Sequence, residues 1–116
     1  MFMTEIRKLI LSDWRYQAIT LVLKKHDKLK DHCFSNQKTE LRQSPHKILE
    51  SAAGYSTGER LLLKIALDIF DGSGNAKVKD LLEILDAQNF VNVLDGFNYL
   101  AQSKLISEER FKQFSQ

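Results

Sequence analysis

At 116 residues, with 43% hydrophobic residues, 28% charged residues and a net charge of +2, the chain has the composition of one globular domain. A domain of this length buries roughly two-thirds of its unfolded surface, which is enough for a core of its own. No apolar run approaches the roughly 20 residues that span a bilayer, and the start lacks the pattern of a secretory signal. Since the single Cys33 allows no internal disulfide, the sequence predicts one cytoplasmic domain, 1–116, with no membrane partner.

The charge is unevenly distributed along the chain. Residues 1–50 hold 10 Lys and Arg against 6 Asp and Glu, whereas residues 51–116 hold 7 against 9. A surplus of positive charge favours an anionic partner, although solvated protein surfaces vary by similar amounts.

The N-terminal part of the chain predicts a long helix over 4–33, capped by Thr4. Residues 16–22 are also rich in strand formers, but no second strand follows to pair with them. Apolar residues occupy more of this helix than the stripe about 100° wide that one core contact needs. We therefore expect Trp14 and Tyr16 to bind a partner, for which a second copy in a two-fold homodimer is one candidate. In the alternative, both sides of the helix are buried within the monomer.

Residues 35–43 are the most polar and least periodic part of the chain, and they predict a flexible connection. Ser44 and Pro45 then favour the start of a short helix that runs to Ala53, because proline lacks only an N–H that the first turn does not use. Gly54 is the expected left-handed stop of this helix.

The middle of the chain predicts an amphipathic helix over 57–71. Ser56 and Glu59 have the spacing of a capping box, in which each side chain accepts a hydrogen bond from the other residue's backbone N–H. Six apolar residues recur at three- and four-residue steps along one face: Leu61, Leu62, Ile65, Ala66, Ile69 and Phe70. The run 71–75, DGSGN, ends the helix.

Three further helices are predicted after this loop. Lys77–Lys79 is expected to be extended, Asp80 to cap a helix over 80–86, and Asp86 to cap a core helix over 87–101. Seven residues are expected to form the buried face of that helix: Phe90, Val91, Val93, Leu94, Phe97, Leu100 and Ala101. Residues 102–104 are expected to break it, and Ser107 to cap a last short helix.

The sequence shows no metal, cofactor or catalytic constellation, so we predict that the protein is not an enzyme. The loop from Asp71 resembles the start of an EF-hand, but the glycine and glutamate that such a loop needs are replaced by Ala76 and Leu82. His26, His32 and Cys33 lack the compact spacing of a metal site within one helix. No glycine precedes a lysine, so the phosphate-binding loop of nucleotide-binding proteins is absent.

The order of elements over 56–106 resembles the winged-helix branch of helix-turn-helix proteins, in which the third helix enters the DNA major groove. By that resemblance the exposed positions of the helix starting near residue 88 would face bases. The residues expected to contact nucleic acid are Lys24, Lys25, Lys28, Asn89, Asn92 and Asn98. That helix has no Lys or Arg to contact phosphates over 88–101, and Asp27 and Asp31 interrupt the lysines.

Together these patterns predict an all-α fold, a compact bundle of five to six helices with a helix-turn-helix-like trihelical core. The expected function is that of a small non-catalytic module, a regulator or inhibitor that acts by protein–protein interaction. The alternative is a winged-helix-like transcriptional regulator that binds DNA.

Overall fold

The structure, a computed structural model, describes residues 14–35 and 40–114. Helices in these residues are α1 over 14–22, α2 (Asp27–Cys33), α3 (Pro45–Ser51), α4 (Thr57–Asp71), α5 (Val78–Ile84) and α6 (Ala87–Phe114). Apart from one isolated antiparallel bridge between Phe34 and Leu41, the described residues contain no β-structure. The predicted all-α bundle of five to six helices is confirmed.

Helix α4 forms the centre of the bundle. The predicted capping box is present: Ser56 Oγ accepts from the Glu59 N–H, and Glu59 Oε1 accepts from the Ser56 N–H, both at 3.1 Å. The helix packs against α2, α3 and α5. Because neighbours lie on several sides, its buried residues extend beyond the single predicted stripe to Leu63 and Leu67.

The N-terminal helix is broken between α1 and α2, so the prediction of one continuous helix is wrong at residues 23–26. Residues 23–25 form a turn, and His26 precedes α2 with backbone angles of φ −129° and ψ 63°. The break lets α2 turn towards α4, where Leu29 and Cys33 are buried. Periodicity alone could not predict it, because the tertiary contact outweighs local helix propensity. Residues 4–13 of the prediction lie outside the described residues.

The polar connection after α2 is closed at both of its ends. The Ser35 N–H donates to the Glu40 carbonyl oxygen at 3.1 Å, and the Arg42 N–H donates to the Cys33 carbonyl oxygen at 2.9 Å. Leu41 packs against the core. Residues 36–39, the middle of the predicted flexible connection, lie outside the described residues.

Helix α3 begins as predicted and ends two residues earlier. Ser44 Oγ accepts from the Lys47 N–H at 3.4 Å, and Pro45 occupies the first helical position. The helix stops at Ser51. The prediction that Gly54 is a left-handed stop is wrong, because among the described residues positive φ values occur at Gly72 (82°) and Asn75 (56°).

The loop after α4 is organised by the side chain of Asp68. Its Oδ1 accepts from the N–H groups of Gly74 and Asn75, both at 2.9 Å, and its Oδ2 accepts from the Ala76 N–H at 2.8 Å. These bonds hold the loop backbone so close to α4 that a methyl group on Gly74 would overlap the Lys64 carbonyl oxygen. The predicted stop at 71–75 is present, and Gly72 ends α4 in the left-handed conformation.

The last two helices differ from their predicted bounds. Helix α5 starts at Val78, so Asp80 lies in its first turn and is not its cap. Asp86 does cap α6, since its Oδ1 accepts from the Asn89 N–H at 2.8 Å. The predicted break at 102–104 and the separate last helix capped by Ser107 are wrong, because α6 continues without interruption to Phe114.

Helix α6 contributes little to the core. The buried core cluster draws mainly on α1 to α4, and Val93 is its member from α6. Phe90 is partly buried against the cluster. The prediction of a core helix over 87–101 is therefore wrong for Val91, Leu94, Phe97 and Ala101, which are exposed.

Candidate functional site

Large exposed apolar side chains among the described residues belong to α5 and α6. On α5, Val78 is 75% exposed and Leu82 is 68% exposed. The others are Ile84, Val91, Leu94, Phe97, Leu105 and Ile106. Single exposed apolar residues are common, but a concentration of them on two consecutive helices is typical of a binding surface.

Helix α6 has an inner face that contacts the bundle. Val93, Gly96 and Ser103 are buried on this face. At Gly96 the helix crosses α1 closely, since a methyl group there would lie 2.7 Å from Val22 Cγ2 and 2.9 Å from the Ala18 carbonyl oxygen. The backbone of α6 therefore lies directly against α1. This contact orients α6 so that its opposite face points away from α1.

The opposite face of α6 carries a mainly apolar row that we call the outer seam. Its members recur at alternating steps of four and three residues, and each of them is exposed. They are Ala87, Val91, Leu94, Asn98, Ala101 and Leu105. A row with this spacing stays on one side of a helix for its whole length.

The residues predicted to bind a partner from the N-terminal helix are only half-exposed. Tyr16 packs against the core, with its ring edge-on to Phe34 at 5.4 Å between centroids and Lys30 Nζ 5.2 Å from the ring centre. Trp14 is also half-buried. The neighbouring Ile19 and Leu23 are fully buried. In the described residues, the contacts of this helix therefore favour the alternative in which its apolar surplus is buried within the monomer.

The three lysines predicted to contact nucleic acid lie in and after the turn between α1 and α2. Lys24 and Lys25 are exposed. Lys28 Nζ lies 2.8 Å from Glu59 Oε2 and 5.0 Å from the centre of the Tyr55 ring. Lys28 is thus engaged with the start of α4.

This ion pair changes the acidity of both partners. The Lys28 hydrogen bond, followed by the backbone N–H of Ser56, lowers the pKa of Glu59 from 4.5 to about 2. The same hydrogen bond raises the pKa of Lys28. Both shifts favour the charged pair, so the contact is a structural link between α2 and α4.

The three asparagines predicted to face DNA lie in three different environments. Asn98 is exposed, on the outer seam. Asn89 Oδ1 accepts from His26 Nε2 at 2.9 Å, which ties α6 to the break between α1 and α2. Asn92 is only 2% exposed, and its Oδ1 accepts from Gln88 Nε2 at 3.1 Å. The predicted exposure of Asn92 is therefore wrong, because the inner face of α6 includes this position.

His32 and Cys33, which the sequence analysis considered as metal ligands, have structural contacts or are buried. His32 Nε2 donates to the Ile48 carbonyl oxygen at 3.0 Å and lies 2.9 Å from Ser51 Oγ. Burial raises the pKa of the Cys33 thiol to about 12, so it stays protonated and unreactive at neutral pH. Among the described residues, no group of three or more His, Cys, Asp or Glu could hold a metal ion.

The chain matches no protein-family model, no curated protein and no solved structure. Of the helices in the described residues, none combines the length and the apolar character that a membrane crossing requires.

Sequence reasoning missed the outer seam, although its spacing is visible in the sequence. Val91, Leu94 and Leu105 belong to one row, but the predicted break at 102–104 divides that row between two helices. The remaining apolar residues of 87–101 then look like the core face of a short helix. Recognising α6 as one helix makes the row continuous, and the burial of Gly96 and Ser103 shows which face points inwards.

Proposed function

We propose that this chain is a small non-catalytic helical module, of regulator or inhibitor type, that acts by binding another protein through the outer surface of α5 and α6. The observation that supports this proposal is the concentration of large exposed apolar side chains on these two helices. Contact of such side chains with water is unfavourable. A partner that covers them removes apolar surface from water, and this stabilises the complex.

The distribution of residue types around this surface also favours a protein partner. Asp95, Gln102, Lys104 and Glu109 are exposed beside the apolar residues of α6. Protein interfaces commonly have an apolar centre and a polar rim, and aromatic residues such as Phe97 are enriched at their centres.

The surface is also ordered before a partner arrives. Helix α6 is held to α1 by the close approach at Gly96 and to the turn after α1 by the hydrogen bond between His26 and Asn89. A preformed helix loses less conformational entropy on binding than a flexible segment, so more of the contact energy appears as affinity.

Site-specific photo-crosslinking in the producing cells tests this proposal. A photoreactive phenylalanine analogue replaces Leu94 on α6 or Leu82 on α5, both of which are exposed. The matched control places the analogue at Arg60, an exposed position on α4. We expect discrete protein adducts from positions 94 and 82 and none from position 60.

Adducts that contain this chain twice and adducts that contain a different protein both support a protein-binding role. The absence of any protein adduct at 94 and 82, with the variants folded and expressed as well as the control, would overturn the proposal. Equal adduct patterns at 94, 82 and 60 would also overturn it. Such adducts would come from random collisions with other proteins and not from binding at a defined surface.

A further inference from the structure

We propose that the partner of the outer seam is a second copy of this chain, and that two α6 helices pair in parallel about a two-fold axis running between them. This inference rests on the proposed function and names the partner of that same surface. Two observations support it. The six residues of the outer seam are all exposed, and the opposite face of the same helix is fixed to the bundle.

The outer seam has the spacing of a two-stranded coiled coil. Val91, Asn98 and Leu105 occupy one heptad position, and Ala87, Leu94 and Ala101 occupy the other, so the row alternates steps of four and three over 87–105. This spacing keeps the row facing a second helix as the two wind around each other. Glu108 takes the next seam position and ends the apolar run.

In the part of the chain that the structure describes, the close contact of α6 with the bundle lies on the side away from the outer seam. Gly96 and Ser103 are buried against the bundle, and both stand at the heptad position diametrically opposite the seam. When two seams meet, each bundle therefore lies on the outer side of its own α6.

Asn98 favours pairing with a second copy in parallel orientation. In a parallel, in-register pair the two copies of Asn98 face each other across the axis, where one side-chain amide donates to the other. In an antiparallel pair, residues of one heptad position face those of the other, so Asn98 would lie against leucine or alanine. An amide buried without a partner is unfavourable, and the parallel pair avoids this.

The charges beside the seam agree with the same orientation. Lys104 and Glu109 flank the seam on opposite sides and are exposed. In a parallel pair, side chains at these two heptad positions come together across the interface, so Lys104 of each copy meets Glu109 of the other. In an antiparallel pair each of these two heptad positions faces its own kind, so Lys104 does not meet Glu109.

The seam is short, but its helix is already formed. A segment that had to become helical on pairing would lose conformational entropy. The contacts of α6 with α1 remove that difficulty, because pairing does not have to order the helix.

Mass measurement by light scattering, at protein concentrations up to about 100 µM, tests the pairing, since this range detects dimers with micromolar dissociation constants. We expect twice the chain mass of 13.4 kDa. Leu105→Ser should return the mass to the monomer. The matched control is Ile106→Ser. The two positions are similarly exposed, Ile106 at 50% and Leu105 at 54%, but Ile106 points away from the outer seam. Thermal melts of both variants establish that they remain folded.

A charge exchange tests the orientation. Lys104→Glu places like charges at two symmetric contacts and should weaken the dimer by roughly fivefold or more. Adding Glu109→Lys should restore the wild-type dissociation constant. If the dimer forms but the double variant does not recover, the parallel orientation is overturned.

The outcomes separate this inference from the proposed function. A monomeric mass across the whole concentration range, or equal effects of Leu105→Ser and Ile106→Ser, overturns pairing through the seam. If position 94 still forms adducts with a different protein, the interaction function stands and only the second copy is rejected. If no adduct of any kind forms at position 94 or at position 82, the proposed function itself fails.

Discussion

Gly96 of α6 faces Val22 of α1 at a distance that leaves no room for a side chain. A methyl group at Gly96 would lie 2.7 Å from Val22 Cγ2 and 2.9 Å from the Ala18 carbonyl oxygen. The absence of a side chain at position 96 therefore allows the contact that orients α6, and it turns the outer seam away from the bundle.

Gly96→Ala should destabilise the protein by about 1–3 kcal/mol, the usual effect of overpacking, because α1 and α6 must separate. The matched control is Gly58→Ala, where the added methyl group meets nothing within 4 Å beyond the adjacent residues and backbone of its own helix. Urea unfolding of both variants measures the difference. Equal stability of Gly96→Ala and the wild type would contradict the close crossing.

The sequence predicts the parts of this fold whose signals are local. Ser56 and Glu59 lie three residues apart, and both the cap and the helix that follows them are found as expected. The break at residues 23–26 involves the hydrogen bond between His26 and Asn89, whose partners are 63 residues apart. No local pattern contains such a contact, so a sequence-based prediction cannot include it.

The length of α6 was missed for a different reason. Gln102, Ser103 and Lys104 are polar and precede a serine with capping potential, which favours a boundary. They contain no glycine or proline, however, and a helix that packs on one face tolerates polar residues elsewhere. The outer seam was missed together with the true length of the helix, since it is visible only as one uninterrupted row.

Asp68 is the residue whose removal should disturb the loop after α4 most. Its carboxylate accepts three backbone N–H groups, including that of Ala76 at 2.8 Å. Asp68→Asn replaces one acceptor oxygen by a donor and removes the charge. We expect a loss of about 2 kcal/mol, because hydrogen bonds to charged groups contribute more than neutral ones.

The control for this change is Asp71→Asn. Asp71 is exposed and accepts a single backbone N–H, that of Ser73 at 3.0 Å. Thermal or urea unfolding should show a clearly smaller effect for this variant. A loss at Asp71→Asn as large as that at Asp68→Asn would show that the loop is not organised by Asp68.

Calcium should leave the melting temperature unchanged. Both carboxylate oxygens of Asp68 already accept N–H groups of the loop, and the positions that a calcium loop needs hold Ala76 and Leu82. A ligand raises the melting temperature only by binding the native state. A rise of several degrees at millimolar calcium, compared with magnesium as control, would restore the EF-hand hypothesis.

Acid should destabilise the protein in part through Glu59. Its pKa is 4.5 without the folded contacts and about 2 with them, so the folded protein binds fewer protons than the unfolded chain in this range. The stabilisation is therefore complete above pH 4.5 and is lost as the pH falls towards 2. Urea unfolding at several pH values measures this slope.

Glu59→Gln should reduce the pH dependence of stability between pH 4.5 and about 2. Glutamine keeps the hydrogen-bonding pattern of the capping box, so the helix start is retained while the titrating group is removed. Glu83→Gln is the control, since Glu83 forms an exposed pair with Lys79 at 3.8 Å. An unchanged slope in Glu59→Gln would show that Lys28 and Glu59 do not form this pair in solution.

The alternative function, a winged-helix-like DNA-binding regulator, stays a prediction. The proposed protein-binding function instead predicts that the chain does not bind DNA. We expect no binding of random duplex DNA by fluorescence anisotropy at roughly 50 mM salt, where non-specific DNA binders bind measurably. Three of the residues that the alternative needs have other contacts or are buried: Lys28 pairs with Glu59, Asn89 with His26, and Asn92 is buried.

Binding at low salt with a steep decrease in affinity as salt rises would instead favour the DNA-binding alternative. In that case, changing both exposed lysines, Lys24→Gln and Lys25→Gln, should reduce the salt slope by about two, one for each phosphate that a lysine no longer neutralises. Leu105→Ser serves as the comparison, because it changes the outer seam and leaves every basic residue in place. If DNA affinity falls with the lysine changes alone, the basic turn after α1 binds nucleic acid, and the protein-binding surface is then not the whole function of the chain.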